Sequence, residues 1–213
     1  MFEPGASFER TTFSGKSSFQ GAQIAIGLFN HTTFVDDVSF ENAMFHAPMT
    51  FGDTKFEQNL VFLASTFKRD AVFWRAKFGG RAIFSHTVFE GPLDLSGLEF
   101  MGKAWFSEAT FGNPANFAEV TFLNDVTFSK ASFNDEAHFD DVSFARNVDF
   151  SQVVFAHTSF HNALFKGDSN FVAMQGQSAF SLKDATFHLA RLWPSAFCGG
   201  AKTRQFTFAS ADC

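Results

Sequence analysis

The sequence predicts an all-β solenoid assembled from very short strands, and three observations carry that prediction. Phenylalanine returns at steps that alternate six and five residues, from Phe34 through Phe40, Phe45 and Phe51 to Phe155, without an error over eleven units of eleven residues. Leu95 is the single substitution in that series and is still apolar. The position two before each ring is mostly small, as at Ala43, Ala71, Ala104, Val120 and Val142, with Met49 and Leu60 larger and Thr32, Thr54, Ser65 and Thr87 as hydroxyl-bearing exceptions. The extra residue of each six-residue step is polar or proline: Asp37, Pro48, Asn59, Asp70, Arg81, Pro92, Lys103, Pro114, Asp125, Glu136 and Asn147.

Residues i and i−2 point to one face of an extended strand. A helix would need apolar spacings of three and four, which this pattern lacks. Each unit is therefore a short strand that sends one ring and one small side chain inward, with an interior expected to be all hydrocarbon. The inserted positions suit exposed corners. Pro48, Pro92 and Pro114 stand 44 and 22 residues apart, which favours a four-sided coil of about 22 residues over a two-sided coil of 11. About eight coils are expected, with equivalent rings stacked in columns at the strand spacing of about 4.8 Å.

The units ATF, ASF, VSF and AKF, each followed by about two polar residues, resemble the pentapeptide-repeat proteins over roughly residues 6–187. The resemblance implies a right-handed quadrilateral β-helix with a central Phe or Leu and a small residue pointing inward. This chain departs from the family pattern in its six-residue steps and in its nearly uniform Phe. Pure fives return at Phe19, Ile24, Phe29, Phe34 and at Phe150, Phe155, Phe160, Phe165. The insertions are expected to widen two corners without changing the stacking. Residues 1–187 form the expected solenoid, and residues 188–213 a C-terminal cap or dimerisation segment. Within KDATFHLARLWPSAF (183–197) a short helix or turn is expected to close the last coil, a homodimer contact being the alternative. The repeat begins almost at Phe8 without a distinct cap, so the expectation there is a covering chain or a longer protein.

Composition narrows the function classes. The chain of 213 residues holds 35 Phe and no Tyr, and its net charge of −6 argues against direct nucleic-acid binding. No apolar run approaches the roughly 20 residues of a membrane span. The start, MFEPGASFERTTF, has acids and proline where a secretory signal needs basic and then apolar residues. Cys198 and Cys213 lack metal-type spacing. A cytoplasmic protein without cofactor or metal is expected. Histidines 31, 46, 86, 138, 157, 161 and 188 fall at outward or corner positions, and the four-residue gap between His157 and His161 gives no shared face on a β-helix. No nucleophile elbow, zinc-helix or phosphate-loop motif occurs. The pairs Asp135–Glu136 and Asp140–Asp141 read as a solvated face rather than as acid and base, since nothing nearby would desolvate one of them. No enzyme is expected. Ice binding is excluded because the row holding Thr110, Thr121 and Thr127 also holds Lys77, Glu99, Trp105, His138 and Asp149.

Charge along the axis is polarised. Residues 66–81 carry five cations against Asp70, whereas residues 82–149 carry eleven acids against Lys103, Lys130 and Arg146. Glu119 and Asp141, 22 apart, are expected in one column. Two functions follow. The first is a scaffold that presents a rigid surface to a protein partner, with Glu119, Asp135, Glu136, Asp140 and Asp141 as its candidate acidic contact. The second is a DNA mimic acting on a type II topoisomerase, as the resemblance to the quinolone-resistance branch of the family implies for DNA gyrase.

Overall fold

A computed structural model describes residues 6–25, 27–192 and 207–208. Among them every regular element is a strand, most of only two residues, and all pairing is parallel. One turn of the solenoid runs through Gly27–Leu28, Thr33–Phe34, Val38–Ser39 and Met44–Phe45, and Met49–Thr50 begins the next. These strands define four faces, numbered first to fourth in that order. Register neighbours stand 21 or 22 residues apart, as for Thr12 with Thr33 and Thr33 with Lys55. About eight turns stack in this way. Ala71 N–H donates to Pro92 O at 2.9 Å and Leu93 N–H to Pro114 O at 3.0 Å, so Pro92 and Pro114 lie on adjacent turns. The 22-residue coil is the one the chain adopts.

The six-residue steps all fall between the second and third faces and between the fourth and first, diagonally opposite corners. The five-residue steps make the other two corners as tight turns. Thr32 N–H donates to Phe29 O at 3.1 Å and Ala43 N–H to Phe40 O at 3.0 Å. The residue before the donor takes φ near +55°, for example His31, Asn42, Asp53 and Ala64. That left-handed conformation costs an L-residue of order 1 kcal/mol or more and suits Asn and Asp best. Neighbouring coils fix it by bonding both sides of the turn: His31 N–H donates to Gly52 O at 2.8 Å and Arg10 N–H to Asn30 O at 3.0 Å.

Inside, the rings form four columns. Phe34, Phe56, Phe78, Phe100, Phe122, Phe144, Phe165 and Phe187 stack with centroids 4.3–5.5 Å apart. Rings of opposite columns meet edge-on across the interior, as Phe128 does Phe139 at 5.5 Å and 88°. Both geometries suit the ring quadrupole. Leu95 is buried and interrupts the column of Phe73 and Phe117. Each buried ring contributes about 1.5–3 kcal/mol, largely offset by ordering the chain.

Two expectations fail. The interior is not all hydrocarbon: Thr32, Thr54, Ser65, Thr87, Thr158 and Ser169 are buried. Thr54 Oγ1 donates to Phe29 O at 2.6 Å and Thr87 Oγ1 to Phe62 O at 2.8 Å. A hydroxyl therefore fits the small position by using the second lone pair of a turn carbonyl on the previous coil. Of the helix or turn expected over 183–197, the helix is absent from the described part: Ala185 N–H closes a turn on Leu182 O at 3.1 Å, and Thr186–Leu192 is a strand that pairs with Leu164–Phe171 and runs across residue 187. The neighbouring strand edge offers the extended backbone a hydrogen-bonding partner there. Residues 193–197, and with them the end of the proposed dimer contact, lie outside the described residues.

Candidate functional site

Because each corner position recurs every 21 or 22 residues, corner side chains form columns along the rod. The tight corner between the first and second faces carries Arg10, His31, Asp53, Arg75, Gly97, Glu119, Asp141, Asn162 and Asp184, all with φ between +53° and +67°. In its first half Asp53 meets Arg75 Nε at 3.1 Å and His31 Nδ1 at 3.7 Å. At the diagonal corner Glu108 lies 3.4 Å from His86 Nδ1 and 3.7 Å from Lys130 Nζ. The wide corners pair Lys16 with Asp37 at 3.1 Å, Lys103 with Asp125 at 2.7 Å, and Lys68 with Glu90. The hydrogen bond from Lys16 holds the Asp37 carboxyl below its usual range, and the one from Lys103 does the same for Asp125. The Lys103–Asp125 pair, exposed at the corner, is worth about 0.2–1 kcal/mol.

The candidate acids behave differently. Glu119 and Asp141 are successive members of one column, and Glu119 N–H donates to Asp140 O at 2.8 Å. Among the described residues no cation lies within salt-bridge distance of Glu119, Asp135 or Asp141. Asp135 and Glu136 occupy the wide corner on the other edge of the first face, where Asp135 Oδ1 accepts from Glu136 N–H at 2.9 Å. One coil thus brings Asp135, Glu136, Asp140 and Asp141 to both edges of a single face, with Glu119 one turn away.

His138 does not stand out in the sequence, yet it sits at the centre of this group. Its ring lies 3.4 Å from Glu136 and 3.8 Å from Asp140. The signal is present in the spacing, since Glu136, His138 and Asp140 alternate along one extended segment. Asp140 also helps to hold the fold, because it accepts from His161 N–H at 2.9 Å and from Ser159 Oγ. One of its carboxylate oxygens is therefore tied into the coil. Glu119, Glu136 and Asp141 are exposed and the others half-buried. The arrangement presents negative charge at both edges of one face. Among the described residues no group of His, Cys, Asp or Glu could hold a metal ion.

A family model described as pentapeptide repeats (9 copies) matches residues 8–55, 95–143 and 128–175, together more than half of the chain. Comparison with curated proteins gives no match. Among solved structures, a trypsin-treated form of QnrB1, a plasmid-mediated fluoroquinolone resistance protein, is 13% identical, covers 81% of this chain and 84% of its own, and has a TM-score of 0.26.

Proposed function

The chain belongs to the pentapeptide-repeat family, and we propose that it is a non-enzymatic cytoplasmic scaffold whose rigid corners are read by a protein partner. The observation that carries this reading is the contrast between corners. At several other corners an acid meets a cation of the neighbouring coil, as in Arg75–Asp53 and Lys103–Asp125. Glu119, Asp135 and Asp141 have no such cation among the described residues, and Glu119 and Asp141 are exposed. Fixed, uncompensated charge on a backbone that cannot relax favours association with a complementary surface. An affinity capture from source-cell extract with the wild-type chain and with a Glu119→Lys/Asp135→Lys/Asp141→Lys variant tests it. A partner retained equally by both would refute the acidic contact.

A second reading makes the partner a type II topoisomerase, with the acidic rod standing in for DNA in a basic groove. Its support is the adjacency of Glu119 and Asp141 in one column, which repeats negative charge along the axis. A homodimer through residues 183–197 would lengthen such a rod and belongs to the same proposal.

A further inference from the structure

The N-terminal half of the rod presents the opposite charge in a different setting. A groove of about 760 Å³ lies over the second face, lined among others by His31, Lys55, Arg75, Lys77, Glu99 and Met101. Lys55 and Lys77 are direct register neighbours on adjacent coils, and both are exposed. Like charges placed opposite each other on one sheet face repel. The column continues to Thr33 beyond Lys55 and to Glu99 beyond Lys77. Among the described residues no carboxylate lies within salt-bridge distance of either ammonium group. Asp53, the other acid of the groove, is already held by Arg75 at 3.1 Å and His31 at 3.7 Å.

The groove owes its depth to a gap in the corner column. Gly97 has φ +67°, and a Cβ built there would meet no atom within 4 Å. Every neighbouring coil carries a side chain at that place: Arg75 on one side and Glu119 on the other. Met101, 55% exposed, supplies an apolar edge. Arg75 is held at the rim by a second contact, its guanidinium carbon 5.6 Å from the centre of the Trp74 ring. Trp74 in turn lies across Gly52, where a Cβ would meet its Nε1 at 2.2 Å.

We propose that this groove binds a small phosphate-bearing anion, with the Lys55 and Lys77 ammonium groups on its oxygens and Arg75 at its rim. Two ammonium groups on strands about 4.8 Å apart converge on one tetrahedral dianion, which removes their repulsion and accepts several charge-assisted hydrogen bonds. A monocarboxylate would neutralise only one of them. The volume falls in the range of small-molecule clefts, about 300–1,000 Å³. This inference goes beyond the scaffold reading and does not rest on it, because the acidic contact uses other coils.

Calorimetric titration of the full chain with inorganic pyrophosphate at low ionic strength tests it. The expected result is saturable binding with one site per chain, weakened about tenfold or more by Lys55→Met and by Lys77→Met. Lys130→Met, which removes a cation paired with Glu108 outside the groove, leaves the affinity unchanged. A thermal melt without ligand supplies a second readout. Relief of the like-charge pair should leave Lys77→Met at least as stable as the wild type. Should Lys77→Met not fold, Lys77→Gln and Lys55→Met carry the comparison. No binding at millimolar pyrophosphate, or an equal loss in the Lys130→Met variant, overturns the proposal.

Discussion

The Phe122 ring lies parallel to that of Phe144 on the next coil, with centroids 5.4 Å apart and planes within 1°. It also meets Phe128 edge-on at 6.2 Å and 88°. Both neighbours sit in columns that run most of the length of the rod, so a change at one ring is felt by the coils above and below. Three residues earlier Glu119 points to solvent.

Phe122→Asp would place an unpaired carboxylate among these rings at a cost of several kcal/mol or more. Glu119→Lys should be nearly silent, since its side chain packs against nothing that the fold requires. Thermal melts of the two variants check the assignment. Equal destabilisation would show that the inward and outward positions are wrongly placed.

The buried hydroxyls allow a finer test. Thr87 Oγ1 donates to Phe62 O at 2.8 Å, while Thr158 Oγ1 is buried without a hydrogen-bond partner. Both occupy the small inward position that Val120, Val142 and Val153 fill elsewhere. Thr87→Val should cost about 1 kcal/mol, and Thr158→Val should be neutral or stabilising. Denaturant midpoints for the pair would decide it, and a loss on Thr158→Val as large as that on Thr87→Val would contradict the bonding scheme.

How much of this was legible in the sequence depends on what each feature needs. Phe is large enough that no other position tolerates it so regularly, so the columns, the small partners and the wide corners at Asp37 or Pro92 were readable from spacing alone. The ion pairs were not, because Lys103 and Asp125 meet only once the coil length is known to be 22. The left-handed turn residues were hidden for another reason: Arg75, His86 and Lys130 are poor candidates for φ > 0, and only the bonded neighbouring coils hold them there. Of the acidic site, the pairing of Glu119 with Asp141 was visible as a 22-residue interval. The structural role of Asp140 was not, since its carboxylate faces Ser159 and His161 across a coil boundary.

Acid should unfold the rod partly through its corner carboxylates. Lys103 and Lys16 hold the Asp125 and Asp37 carboxyls below their ordinary range. A folded-state value below the unfolded one contributes stability that is full above the unfolded pKa, about 3.9, and is lost as pH falls through the folded value. Lys103→Met removes the Asp125 share and leaves that of Asp37. The difference in melting temperature between pH 7 and pH 3 should therefore narrow in the variant, by an amount matching an exposed pair of about 0.2–1 kcal/mol. An unchanged difference would mean that the Lys103–Asp125 contact contributes nothing to folding.

The topoisomerase reading makes the most exposed claim. If the acids imitate a phosphate backbone, the wild-type chain should bind a type II topoisomerase and reduce its activity in a supercoiling assay. The effect should weaken as salt rises, because exposed charge is screened within about 8 Å at physiological ionic strength. Charge reversal at Glu119, Asp135 and Asp141 should abolish it while leaving the thermal melt in place, since none of the three is paired with a cation among the described residues. Asp140 is deliberately kept, because its bonds to His161 N–H and Ser159 Oγ would make Asp140→Lys a folding variant as well as a charge variant. Supercoiling untouched at micromolar protein, or inhibition that survives the triple reversal, would remove the DNA-mimic reading and leave the scaffold with a partner of another kind.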